Sequence, residues 1–162
     1  MGNFVVIYSA VGADEETIPT DNTQYNIAET SIIKIPNQEP KKLGYTFEGW
    51  KTGTDDTVYK YGTQNDTYTV PNDISGAITF IAQWSINEYK ITYELNGGIN
   101  AENAPVSYTI ETDTITLPVP TKDGYNFEGW YTDAAFENAV SAGTKETGTI
   151  LSLIHISEPT RR

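Results

Sequence analysis

The chain has 162 residues, of which 38% are hydrophobic and 12% aromatic, room for one ordinary domain or two small ones with enough apolar material to bury a core. Acidic side chains number 22 against 10 basic ones, a net charge of −12. No apolar run approaches the ~20 residues a membrane-spanning helix needs, and so acidic a chain repels nucleic-acid phosphates.

The first strand is expected at residues 4–8, Phe4-Val5-Val6-Ile7-Tyr8, apolar on both faces, followed by Ser9-Ala10-Val11-Gly12. A short strand, Ile33-Lys34-Ile35, closes at Pro36, which removes a donor from the ladder and so belongs at a strand end. The polar turn Pro40-Lys41-Lys42-Leu43 leads into Gly44-Tyr45-Thr46-Phe47-Glu48-Gly49-Trp50. Here Tyr45 and Phe47 share a face, and Gly49 permits a bend before the tryptophan. Gly62, Asp66 and Pro71-Asn72-Asp73 are loop formers. Residues 78–84 then alternate as a last strand, with Ile78, Phe80, Ala82 and Trp84 on one face.

After only Ser85-Ile86-Asn87-Glu88 the same order begins again. Residues 89–95 alternate strictly, with Tyr89, Ile91, Tyr93 and Leu95 on one face and Lys90, Thr92 and Glu94 on the other. Asn96-Gly97-Gly98 supplies the positive-φ turn that ends this strand. Ile115-Thr116-Leu117 again closes at a proline, Pro118, and Pro120-Thr121-Lys122-Asp123 leads to Gly124-Tyr125-Asn126-Phe127-Glu128-Gly129-Trp130. Six of the seven motif positions match residues 44–50 at an offset of 80. That period exceeds the roughly 20–50 residues of solenoid repeats, so the copies read as separate modules. Trp50 and Trp130 are expected as core anchors, since a buried indole covers about 150–250 Å²; a sugar-stacking platform is the rival reading. The one helix candidate is a single turn at residues 132–138, with Thr132 or Asp133 as cap.

The second copy reaches Gly148-Thr149-Ile150, where the first has Gly76-Ala77-Ile78, and then departs. Residues 151–162 hold the only histidine, His155, and both arginines, Arg161 and Arg162. The segment resembles the conceptual translation of a sequencing adapter and is set aside from functional reasoning. Its alternation is partly strand-like, with Ile150, Ser152, Ile154 and Ile156 on one face. The expected domains are therefore residues 1–86, a second module at 87–150 lacking its closing strand, and a foreign tail at 151–162. The loss of a closing strand leaves an unpaired edge and predicts a second module less stable than the first.

Residues 1–150 contain no Arg, His or Cys, leaving 8 basic against 21 acidic side chains, a net charge of −13. This removes Ser-His dyads, thiol nucleophiles and Cys/His zinc sites. Neither phosphate-loop pattern is present. Acid–base work by carboxylate pairs such as Asp55-Asp56 or Glu15-Glu16 is the only enzymatic option left, and adjacent acids in a polar loop read more simply as solvated. No catalytic, metal or cofactor residue is expected. The first residues, Met1-Gly2-Asn3-Phe4, do not read as a signal peptide.

An aromatic strand ending in Asn-Gly-Gly, a strand ending in proline, and Pro-Thr-Lys-x-Gly-Tyr-x-Phe-x-Gly-Trp-Tyr-Thr-Asp resemble the Listeria–Bacteroides repeat, the family that includes the B-repeat of internalin B. In the second copy Tyr93, Asn96, Gly97, Gly98, Pro120, Thr121, Lys122, Gly124, Tyr125, Phe127, Gly129, Trp130, Tyr131, Thr132 and Asp133 carry the likeness; in the first, Gly44, Tyr45, Phe47, Gly49, Trp50, Ala82 and Trp84 do. The first copy lacks Asn-Gly-Gly after Tyr8, so its first turn departs from the pattern.

The resemblance implies mainly β, β-grasp-like mixed sheet modules with little or no helix. It implies tandem use in secreted or wall-attached bacterial surface proteins, as spacers, stalks or adhesion elements without catalytic residues. The alternative is a binding module for a host protein or glycan, with Tyr59, Tyr61, Tyr68 and Tyr131 as candidate exposed aromatics. Clustering of these tyrosines in one apolar patch favours binding; burial or dispersal favours the spacer.

Overall fold

The computed structural model describes residues 2–113, 115–131 and 150–157. It divides into two compact units, Met1–Ile86 and Asn87–Arg162.

Unit one builds six strands: β1 (Asn3–Ser9), β2 (Tyr25–Asn26), β3 (Ile32–Lys34), β4 (Tyr45–Lys51), β5 (Thr67–Thr69) and β6 (Gly76–Ile86). Four of them form a mixed sheet in the order β2-β1-β6-β4, and β3 and β5 form a separate antiparallel pair. The first and last strands lie side by side and parallel, from Phe4 opposite Gly76 to Ser9 opposite Ile81. β4 and β2 flank them, each antiparallel to its neighbour. Among the described residues of this unit the only helical element is one 3-10 turn, Glu15–Thr17. The fold is thus mainly β, in small sheets compatible with a β-grasp-like arrangement.

Alternation decides which side chains go inward. Phe4 and Val6 from β1, Ile78, Phe80 and Ala82 from β6, and Phe47 and Trp50 from β4 are buried together. Ile33 and Tyr68 from the small sheet, with Ile35, Val70 and Ala10, complete the same core. Phe47 and Trp50 are three residues apart, so strict period two places them on opposite faces. A β-bulge reconciles them: Phe47 pairs with Trp84 and Gly49 with Gln83, leaving Glu48 as the extra residue.

Unit two repeats this order with β7 (Tyr89–Glu94), β8 (Ser107–Tyr108), β9 (Asn126–Tyr131) and β10 (Ile150–Ser157). The sheet runs β8-β7-β10-β9, with β7 and β10 parallel and the outer pairs antiparallel. The registers coincide. Ile78 faces Val6 as Ile150 faces Ile91, and Trp84 faces Phe47 as Ile156 faces Phe127. The bulge recurs, with Glu128 as the extra residue between Phe127 and Gly129. The proline-ended strand expected at 115–117 does not form; its neighbourhood contributes one bridge, Ile99 to Thr121. The helical turn expected at 132–138 lies outside the described residues.

The expected vacancy in module two needs correction. Residues 151–157, set aside as part of the tail, run with Ile150 as β10 between β7 and β9. Two strands with unpaired backbone groups on facing edges demand a partner, and the alternation at Ile150, Ser152, Ile154 and Ile156 meets the period of a strand. The ladder is filled, but the position of Phe80, 0% exposed in module one, falls to Ser152. Module two is therefore still expected to be the weaker. In native-state hydrogen exchange, amides of β7 and β9 should exchange on the order of tenfold or more faster than those of β1 and β4. Equal protection of the two halves contradicts this.

Candidate functional site

The repeated motif is the feature both units build alike. In module one the turn before it closes with the Tyr45 amide donating to the Lys42 carbonyl at 3.1 Å, and in module two the Tyr125 amide donates to the Lys122 carbonyl at 3.1 Å. The lysine ammonium lies 4.3 Å from the tyrosine ring centroid in each module. Phe47 meets Trp50 edge-on at 5.0 Å, and Phe127 meets Trp130 at 5.4 Å. The first strand adds a phenol ring to each indole: Tyr8 stands 5.0 Å from Trp50 and Tyr93 stands 5.1 Å from Trp130. Trp130 Nε1 also donates to the Pro118 carbonyl at 2.8 Å. Glu48, pushed outward by the bulge, accepts a hydrogen bond from Ser85 Oγ at 2.6 Å.

The first turn shows how module one manages without Asn-Gly-Gly. In module two Asn96 (φ 47) and Gly97 (φ 85) make the turn, and the Gly98 amide donates to Leu95 O at 2.8 Å. In module one the same bond runs from the Ala13 amide to Ala10 O at 3.1 Å, with Gly12 (φ 83) as the single left-handed residue. Lys42 and Lys122 pack over these glycines: a Cβ at Gly12 lies 3.2 Å from Lys42 Cε, and one at Gly97 lies 3.8 Å from Lys122 Cε. Each lysine thus bridges the turn after the first strand to the tyrosine that opens the motif.

The family profile of the Listeria–Bacteroides repeat domain matches residues 4–83 and 89–151. The chain belongs to the Listeria–Bacteroides repeat family. The second match ends at residue 151, where the sequence departs from the pattern of module one. A protein of Evansella cellulosilytica described as a Gly-rich membrane protein is 35% identical over 127 residues, covering 74% of this chain and 14% of that protein. Internalin H of Listeria monocytogenes is 33% identical over 126 residues, covering 76% of this chain and 19% of that protein. The chain therefore spans less than a fifth of the length of these relatives. No solved structure matches it significantly.

In module one the apolar motif residues serve chiefly the interior, and in module two Trp130 does. Trp50 is 1% exposed, Phe47 and Trp130 are buried, and Trp84, Tyr93 and Phe127 are half-buried. Gly44 and Gly49 are buried, Gly129 is half-buried and Gly124 is exposed. Tyr45 is half-buried, while Tyr125, expected to share the inner face with Phe127, is 40% exposed, its ring beneath the lysine ammonium at the end of the strand.

Within module one the candidate ligand-binding tyrosines form no exposed cluster: Tyr59 and Tyr68 meet at 5.3 Å against the core. Tyr68 is 5% exposed, on a strand whose other two residues point to solvent, and its ring packs edge-on against Phe80 at 5.4 Å. Tyr59 pairs with Trp50 through two backbone hydrogen bonds of 2.7 Å and packs against the core. Tyr61 is 48% exposed and Tyr131 is half-buried in the other repeat. Short strands of three residues carry no period long enough to reveal that Tyr68 faces inward.

The acid pairs are surface features. The Asp55 carboxylate accepts from the Thr57 amide at 2.8 Å and from the Tyr59 hydroxyl at 3.2 Å, closing a loop. Glu15 and Glu16 sit exposed in the 3-10 turn. A shallow cleft of about 220 Å³ opens beside Thr52, Thr54, Tyr68, Ile74 and Thr79, and its lining includes no carboxylate.

The titratable groups that shift are mostly phenols. Burial, reinforced by Asp21 and Tyr25, pushes the Tyr8 hydroxyl far above its ordinary value of 10.0. Burial likewise raises Tyr25, Tyr59 and Tyr93. Burial opposes ionisation of Asp21, but hydrogen bonds from Tyr25 and Thr23 outweigh it and hold that carboxyl below its usual range. A phenol with a raised folded pKa keeps its proton in the folded state after the unfolded chain has lost it. Stability is then full below the unfolded value and falls as pH rises above it. Module one should therefore lose stability progressively above pH ~10, and Tyr8→Phe should blunt that loss. Chemical denaturation between pH 8 and 11.5 checks this; an unchanged alkaline slope in the variant contradicts it.

Proposed function

We propose that this chain is a non-enzymatic tandem-repeat segment of a bacterial surface protein, serving as a spacer or stalk for a larger polypeptide. The observation that carries the reading is the use of the shared residues: Phe47, Trp50, Trp130 and the tyrosines Tyr8 and Tyr93 are committed to two separate cores. What the repeats hold in common is the means of folding. Surface side chains, where a ligand would be read, differ between them: Val11 and Leu43 in module one stand where Asn96 and Asp123 stand in module two. The acidic surface favours the solubility of closely spaced modules. The relatives named as an internalin and as a membrane protein support placement at the cell surface.

The two-repeat chain should give no saturable signal on glycan arrays or with host matrix proteins. Inserted in one, two and four copies between a surface anchor and a reporter epitope, it should make the epitope steadily more accessible to antibody. Saturable binding of one glycan or matrix protein by the repeats alone replaces this reading with that of a binding module. Unchanged accessibility with copy number removes the spacer role.

A further inference from the structure

We propose that the position between β7 and β9, held in this structure by β10, is a strand-acceptor site, and that the occupant it fits best is the closing strand of another repeat, residues 76–86 of a second copy of this chain. The inference rests on register and is independent of the stalk reading. Counted from the equivalent pairs Val6–Ile78 and Ile91–Ile150, the four inward positions of the closing strand in module one, Ile78, Phe80, Ala82 and Trp84, correspond in register to Ile150, Ser152, Ile154 and Ile156 in module two. Only the first is the same residue. In module one Phe80 is fully buried and its ring stacks on Tyr8 at 5.4 Å. In module two the partner of that position is Tyr93, the counterpart of Tyr8, and the position itself holds a serine.

The walls of the site are those that already hold residues 76–86 in module one. Phe127 and Trp130 repeat Phe47 and Trp50, Ile91 replaces Val6, and the bulge at Glu128 repeats the bulge at Glu48. Residues 76–86, Gly-Ala-Ile-Thr-Phe-Ile-Ala-Gln-Trp-Ser-Ile, carry no charge that the site must desolvate. The resident strand satisfies both backbone ladders without supplying the ring. An incoming strand makes the same ladders and adds phenyl and indole surface. The resident strand has the advantage of its tether, equivalent to a concentration of order millimolar. A buried phenyl ring shifts such an exchange by about ten- to a hundredfold, enough to make a free strand competitive at micromolar concentration.

The test is the full chain titrated into a fluorescein-labelled peptide of residues 76–86, flanked by lysines for solubility and followed by anisotropy. Saturable binding is expected, weakened about tenfold or more in a Phe80→Ser peptide. It should be lost when the chain carries Ser152→Phe and Ile156→Trp, which fill the site from within. With the unaltered chain, hydrogen exchange should show peptide-induced exposure of residues 150–157 and retained protection of 89–94 and 126–131. Absence of saturable binding, equal affinity of the Phe80→Ser peptide, or unchanged protection of residues 150–157 overturns the proposal.

Discussion

Gly49→Ala should be among the most damaging single-methyl changes in module one. Gly49 has φ 137, and a Cβ there lies 2.5 Å from Val58 Cγ1 and 2.9 Å from the Tyr59 carbonyl oxygen. The side chain of Val58 can turn, but the carbonyl is fixed by its 2.7 Å hydrogen bond from the Trp50 amide. Backbone strain of roughly 1–3 kcal/mol and overpacking of a similar size add, for a total of about 3–5 kcal/mol. For a module of this size, each kcal/mol lowers Tm by roughly 4–8 °C. Gly129→Ala is the internal control. The same bulge position has φ 154, also in the region that favours glycine, but the nearest atom to a Cβ there is on the Tyr131 ring at 3.6 Å. Its cost should be the backbone strain alone, about 1–3 kcal/mol and less than that of Gly49→Ala. Thermal unfolding of the two variants checks the contrast, and equal losses would refute the steric account.

Trp50→Ala should be the second severe lesion, at about 3–5 kcal/mol. The indole is 1% exposed and is contacted edge-on by Tyr8 and Phe47, each with ring centroids 5.0 Å away. Its removal takes away the ring against which both Tyr8 and Phe47 pack. Each module has its own buried cluster, so the loss should fall on module one alone, with the unfolding of residues 87–157 left in place. Residue-resolved exchange separates the two. A variant in which both halves lose protection together would show one shared interior instead of two.

Much of this fold is legible in the chain because its long strands alternate. The period of residues 89–95 marks β7, and the face Ile78, Phe80, Ala82 and Trp84 marks β6, whose inward residues are those named. Pro36 ends the third strand near where it must, since Ile35 donates instead to the Asp66 carbonyl at 2.9 Å. Two-residue and three-residue strands, β2, β5 and β8, escaped detection because two or three residues cannot display a period. Tyr68 was consequently read as a surface aromatic, although long-range pairing with Ile33 turns it inward. The bulge was visible only as a bend at Gly49; that it brings Phe47 and Trp50 onto one face follows from pairing with β6, which no local pattern encodes. The turn after β1 shows the opposite case. Its residues differ from Asn-Gly-Gly, yet one glycine in the left-handed region suffices to close it.

Each module begins and ends on neighbouring strands that point the same way, β1 beside β6 and β7 beside β10. A pull applied to the two ends of a module therefore runs lengthwise along that shared ladder. The six residue pairs from Phe4–Gly76 to Ser9–Ile81 are loaded in shear and resist together, where a hairpin pulled at its open end gives way one rung at a time. In each module that seam is the element that carries tension applied along the chain.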